Sequence, residues 1–168
     1  MTQRMSDAWY RLLRSVHYLG YHTKPAMSYD FEEARPFSLV TSNEAEVKMA
    51  RELLKGQGSM QAAIWVIEGA QSEKRGGSAT DYYLREVFHP TQIVQAVPEN
   101  YPGAKKTYNW TLTGTGQEFG RDVRLNDLPW FPEFFDKNGN FGFGLRVLKD
   151  QDVRDTFIEF ARLYFTEK

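Results

Sequence analysis

Apolar positions along the chain change from a helical period to an alternating one and back again. Near the N-terminus Trp9, Leu12, Leu13 and Val16 recur at three- and four-residue spacing, with Arg11, Arg14 and Ser15 on the other side. That stripe predicts a helix from the N-cap Ser6 to about Tyr18, ended by Gly20. A second stripe, Val47, Ala50, Leu53 and Leu54, follows Asn43 as N-cap, with Glu46 at the capping-box position and Gly56 as stop. A third stripe, Val153, Phe157, Phe160, Ala161 and Tyr164, begins behind Asp150, a cap for a C-terminal helix.

Between the second and third stripes the period is two. Ala63–Glu68 is a short apolar run with the character of a central strand. Asp81–Phe88 and Thr91–Val97 are strand candidates separated by His89-Pro90. Lys106–Leu112 alternates most cleanly, Tyr108, Trp110 and Leu112 pointing one way and Thr107, Asn109 and Thr111 the other. One wet face of that kind favours antiparallel pairing. Phe37–Val40 and Phe119–Leu125 are weaker strands, and Phe141–Leu148 another, with Phe141, Phe143, Leu145 and Val147 on one face. Gly114-Thr115-Gly116 reads as a turn. Together these elements predict one α+β domain over residues 1–168. It has two N-terminal helices, a mainly antiparallel sheet of about five or six strands and one C-terminal helix.

Two segments fit neither period. Tyr21–Pro36 holds two prolines and mixed charges; a loop of that length is a candidate for contact with a partner. Leu128-Pro129-Trp130-Phe131-Pro132 is too rich in proline for a strand interior and reads as an aromatic plug or a single helical turn.

Composition narrows the function classes. The chain has 168 residues, 41% of them hydrophobic and 26% charged, with a formal net charge of −1. Such a balance lacks the basic excess that drives nonspecific nucleic-acid binding. The absence of cysteine removes disulfides, thiolate metal sites and cysteine nucleophiles. No apolar stretch reaches the ~18 residues of a membrane helix and no signal-peptide block is present, so the expected location is cytoplasmic.

No motif selects a reaction. Gly114-x-Gly116 with Gly120 fails as a dinucleotide fingerprint, because Phe119 stands at the third glycine position and no βαβ unit surrounds it. His17 and His22 are five apart, the wrong spacing for a helical zinc pair, so neither a metal nor another cofactor is expected. The aromatic share is 15%, and Trp110, Trp130, Phe131, Phe134, Phe135, Phe141 and Phe143 crowd into Tyr108–Phe143, where Trp130 lies between two prolines. Rings in that setting suit the lip of a pocket. Tyr82, Tyr83 and Trp110 are candidate walls, and Gly142 and Gly144 leave a flat strip of backbone on which a ring could stack.

The basic glycine loop Lys74-Arg75-Gly76-Gly77, with Lys105 and Lys106, is where phosphates would sit if a nucleic acid bound. The resulting expectation is a non-catalytic binding module for a protein or small-molecule partner, using an aromatic cleft. The alternative is a hydrolase or nuclease with dispersed residues Asp122, Asp127 and His89.

Overall fold

The structure, a computed structural model, describes residues 15–23, 37–40, 44–55, 62–71, 80–94, 108–138 and 145–166. Strand β1 is Val16–Thr23, β2 Phe37–Val40, β3 Ala62–Gln71, β4 Thr80–Val94, β5 Tyr108–Glu118 and β6 Arg146–Val147. Helix α1 is Glu44–Lys55, α2 Phe131–Lys137 and α3 Gln151–Thr166. The strands form one sheet in the order β2-β5-β4-β3-β1-β6, five longer strands with the two-residue β6 at one edge.

The sheet is mixed, which corrects the expectation of a mainly antiparallel one. β1 runs parallel to β3 over eight residues, Val16 opposite Ala62 through Thr23 opposite Gly69. Parallel neighbours need a long crossover, and the chain between them supplies one that carries β2 and α1. The end of the expected first helix is corrected as well: Val16, His17 and Tyr18 are strand, and Tyr21–Thr23 continue it. Burial decides this, because β1 buries His17 and Leu19 beside β3, a gain that local helical spacing cannot match. Among the described residues one helix, α1, precedes the central strands. Ser6–Arg14 and 24–36 lie outside the described residues, as do Gly142 and Gly144.

β3 is the inner strand, buried on both faces. Its Ala63, Trp65 and Ile67 belong to one core with Leu84, Val87, Phe119, Phe131 and Phe134, and with Val153, Phe157 and Ala161 of α3. Ala62, Ile64 and Val66 belong to a second core with Phe88, Leu112 and Val47, Ala50 and Leu53 of α1. The helices thus cover opposite faces, α2 and α3 on one and α1 on the other. Trp65 is fully enclosed; its Nε1–H donates to His17 Nδ1 at 2.7 Å. An indole N–H only donates, so His17 Nδ1 carries a lone pair and the ring is the Nε2–H tautomer.

Two irregularities shape β4. Along β3 the register passes from Val66–Glu86 to Ile67–Leu84, leaving Arg85 as an extra residue. Against β5 it slips between Pro90 and Gln92. The second bulge lets His89-Pro90 run inside one continuous strand where the sequence suggested a break. Gly114-Thr115-Gly116 likewise is not a turn: it pairs with Pro90, His89 and Phe88. The glycine at 114 is required by approach, since a Cβ there would lie 2.1 Å from the His89 carbonyl oxygen.

Gly114→Ala therefore forces backbone from backbone. It is expected to cost about 3 kcal/mol and lower Tm by about 6–12 °C. The exposed neighbour change Thr115→Ala should stay within about 0.5 kcal/mol. Thermal melts of the two variants side by side check this; equal melting would contradict it.

Candidate functional site

Two of the rings singled out from the sequence, Tyr82 and Trp130, meet at α2. This helix starts after Trp130, carries Pro132 in its first turn and closes with an i,i+4 pair between Lys137 and Glu133 at 2.9 Å. Its two turns present aromatic residues in two directions. Phe131 and Phe135 meet Tyr82 of β4 at ring-centroid distances of 5.5 and 5.2 Å. Trp130 stands edge-on to Phe134 at 5.3 Å and to Phe157 of α3 at 5.9 Å. Phe131 and Phe134 are buried, whereas Tyr82, Trp130 and Phe135 keep part of their surface open. The short helix is a wedge between sheet and α3 whose inner rings fill the core and whose outer rings form a rim.

Tyr82 is held by its backbone. Asn126 uses its side-chain amide as a piece of strand: Oδ1 accepts from the Tyr82 N–H at 2.7 Å and Nδ2 donates to the Thr80 carbonyl at 3.0 Å. Leu125 N–H donates to the Tyr82 carbonyl at 2.8 Å, and Leu84 N–H to that of Val123 at 2.9 Å. Arg124 ties the same stretch down through Asp81 and Asp127; hydrogen bonds first to Asp127 and then to Asp81 push its guanidinium further into the protonated range. A second phenol lies close by. Tyr21 of β1 rests over Gly69, where a Cβ would come within 2.1 Å of its hydroxyl.

Not all predicted walls share this face. Tyr83 alternates to the side opposite Tyr82 and Leu84, where the Arg121 guanidinium lies 5.8 Å from its ring centroid. Trp110 stands in β5 in register with Leu39; its ring is outside what the structure describes. Lys74, Arg75, Lys105, Lys106, Gly142 and Gly144 lie outside the described residues. The dispersed acid–base set is not assembled: His89 Nδ1 is 3.2 Å from the Ala62 carbonyl, Asp122 accepts from Tyr164, and Asp127 pairs with Arg124. Among the described residues no group of three or more His, Asp or Glu side chains is placed to hold a metal ion.

The other face of the sheet carries a charged group that sequence reasoning missed. Because Arg85 is the extra residue of the bulge, Arg85 and Glu86 share the face of Val66 and Glu68 instead of alternating. Glu68 is fully buried; Arg85 Nη1 lies 2.8 Å from its Oε2 and Arg121 Nε 3.0 Å from its Oε1. The first contact is an aligned hydrogen bond, the second a charge contact without that alignment. The available signal was the charged pair Arg85-Glu86 interrupting an otherwise apolar strand, and Glu68 ending an apolar run.

Burial holds Tyr21 above the usual phenol value, helped by Tyr82 and Glu68, and burial likewise raises Tyr82 against a smaller lowering by Thr80. Both phenols are neutral in the fold where unfolded ones ionise. The unfolded state then loses protons first, so stability falls as pH rises past 10.0, the ordinary value. An absorbance titration at the phenolate band is expected to show delayed ionisation that Tyr21→Phe and Tyr82→Phe each reduce. A wild-type curve matching unfolded tyrosine would contradict it.

Comparison of the chain with protein-family models, with curated proteins and with solved structures finds no match, so the chemistry of these two faces is what a function has to be argued from.

Proposed function

We propose that the protein is a non-catalytic binding module whose contact surface is the aromatic rim of Tyr82, Phe135 and Trp130. The observation that carries this reading is that the outer rings of α2 are half-open while their i+4 and i+1 neighbours are locked in the core. Such rings are rigid, cost little side-chain entropy to order, and suit a flat apolar group of a small molecule or a protein side chain. Trp110 is not assigned to this surface, because along β5 it alternates in step with Leu112, which belongs to the α1 core on the other face. Tyr83 belongs to the opposite face and contributes no wall to this cleft.

A cytoplasmic location and a protein or small-molecule partner go with this reading. No helix among the described residues is long and apolar enough to cross a membrane. Nucleic acid is the less favoured partner, because the net charge is −1 and the basic groups assigned to its phosphates are only the local set Lys74, Arg75, Lys105 and Lys106. A hydrolase built on His89, Asp122 and Asp127 is disfavoured by their three separate sets of partners.

The test is fluorine NMR of protein labelled with 5-fluorotryptophan, the four indoles being assigned by single Trp→Phe changes. Titration with a panel of aromatic fragments is expected to shift the Trp130 resonance saturably and leave enclosed Trp65 in place. A Trp130 signal unmoved across the panel would remove the proposed surface. A single-stranded oligothymidine serves as the nucleic-acid arm, where any binding has to weaken steeply with added salt.

A further inference from the structure

The polar contact at the centre of the dry strand is one that a proton can break. Trp65 is fully enclosed, and its indole N–H donates at 2.7 Å to Nδ1 of His17, itself buried in β1. The ring planes are 9° from parallel and the centroids 6.0 Å apart. An indole N–H can only donate, so the bond exists only while Nδ1 carries a lone pair. A proton on Nδ1 sets two N–H groups against each other and places a charge among side chains that exclude water.

Trp65 has no room to yield. It packs on Phe119 and on Phe157 of α3, with ring centroids 6.5 and 5.5 Å away. His17 stands nearer an edge: among the described residues only the two-residue β6 lies outside β1, paired with Tyr18 and Leu19, and the Leu148 N–H donates to the His17 carbonyl at 3.0 Å. The charged side chains of the elements packed there are engaged elsewhere or exposed. Glu68 of β3 is on the opposite face with Arg85 and Arg121, and Arg146 reaches the Asn138 carbonyl. Asp150 caps α3, Arg154 pairs with Asp155 and Arg162 with Glu159, while Lys149 and Asp152 are exposed. Tyr21, on the same face of β1, is held neutral by burial. His89 shows the contrast. Its Nδ1 faces the Ala62 carbonyl at 3.2 Å, and a carbonyl only accepts, so ionisation of His89 leaves that contact intact.

We propose that His17 is a proton-operated lock on the β1 edge of the sheet. Neutral, it holds the Trp65 indole and keeps β1 docked on β3; protonated, it gives up the indole and lets β1 and β6 part from the core. The opened strand binds a proton that the docked one excludes. The stability contributed by the lock is therefore present above the ordinary imidazole value of about 6.5 and is lost as pH falls below it. The lock stands apart from the aromatic rim and does not depend on it.

Hydrogen exchange of the Trp65 indole N–H in the 15N-labelled full chain reads the lock, with rates corrected for the intrinsic effect of pH. Its protection is expected to fall about thirtyfold between pH 7.5 and 5.0, and that of the Leu148 amide with it. His17→Asn keeps an acceptor oxygen near the place of Nδ1 but does not titrate, and should flatten this dependence; His89→Asn should leave it unchanged. A long-range 1H–15N spectrum of the unmodified protein needs no variant: the unprotonated Nδ1 signal of His17 is expected to persist until Trp65 protection is lost. The proposal is overturned if Trp65 protection is the same at both pH values, if His17→Asn retains the full fall, or if Nδ1 becomes protonated while the indole stays protected.

Discussion

The structure depends on one strand being dry on both sides. β3 places Trp65 and Ile67 against α2 and α3, and Ile64 and Val66 against α1, so each helix layer is anchored to the same few residues. Large apolar area removed from water on both faces of one strand is the dominant favourable term available to a chain without disulfides. It also sets a rule for every polar atom there. The Trp65 indole has to find His17, and the Glu68 carboxylate has to find two arginines.

The features of both faces follow from that constraint. On one face the wedge α2 fills the space between β4 and α3, and the rings that do not fit inside become the rim at Tyr82, Phe135 and Trp130. On the other face, the bulge at Arg85 supplies a cation where Glu68 needs one and puts two consecutive charged side chains on the same side. The loop after β5 then returns at Val123–Leu125 to hydrogen-bond with Tyr82 and Leu84, bringing Arg121 over Tyr83 on the way. Pairing the buried Glu68 carboxylate is thus a requirement of the fold that the bulge and this loop meet together.

Much of this was legible where local signals and burial agree. The stripes of α1 and α3 and the cap of α3 are examples: Asp150 Oδ1 accepts from the Asp152 and Val153 N–H groups, and Val153, Phe157 and Ala161 are buried. The plug around Trp130 was read from its prolines and proved to be a two-turn helix. What failed needed knowledge of distant chain. Val16 continues a helical stripe, yet pairing with β3 makes it strand. Gly114 and Gly116 have the composition of a turn, but the His89 carbonyl opposite demands a missing side chain. Alternation would send Arg85 and Glu86 to opposite faces, and only the bulge unites them. Tyr82 and Tyr83 show the converse: adjacent in sequence, they serve different faces.

Native-state hydrogen exchange reads the central constraint most directly. If β3 is enclosed on both faces, the amides of Ile64–Ile67 exchange last, at the rate set by global unfolding, and those of edge strands β2 and β6 exchange earlier. Exchange of the Ile64–Ile67 amides as fast as that of β2 would contradict the double burial. The core, and with it the placement of Glu68 and the aromatic wedge, would then have to be rebuilt.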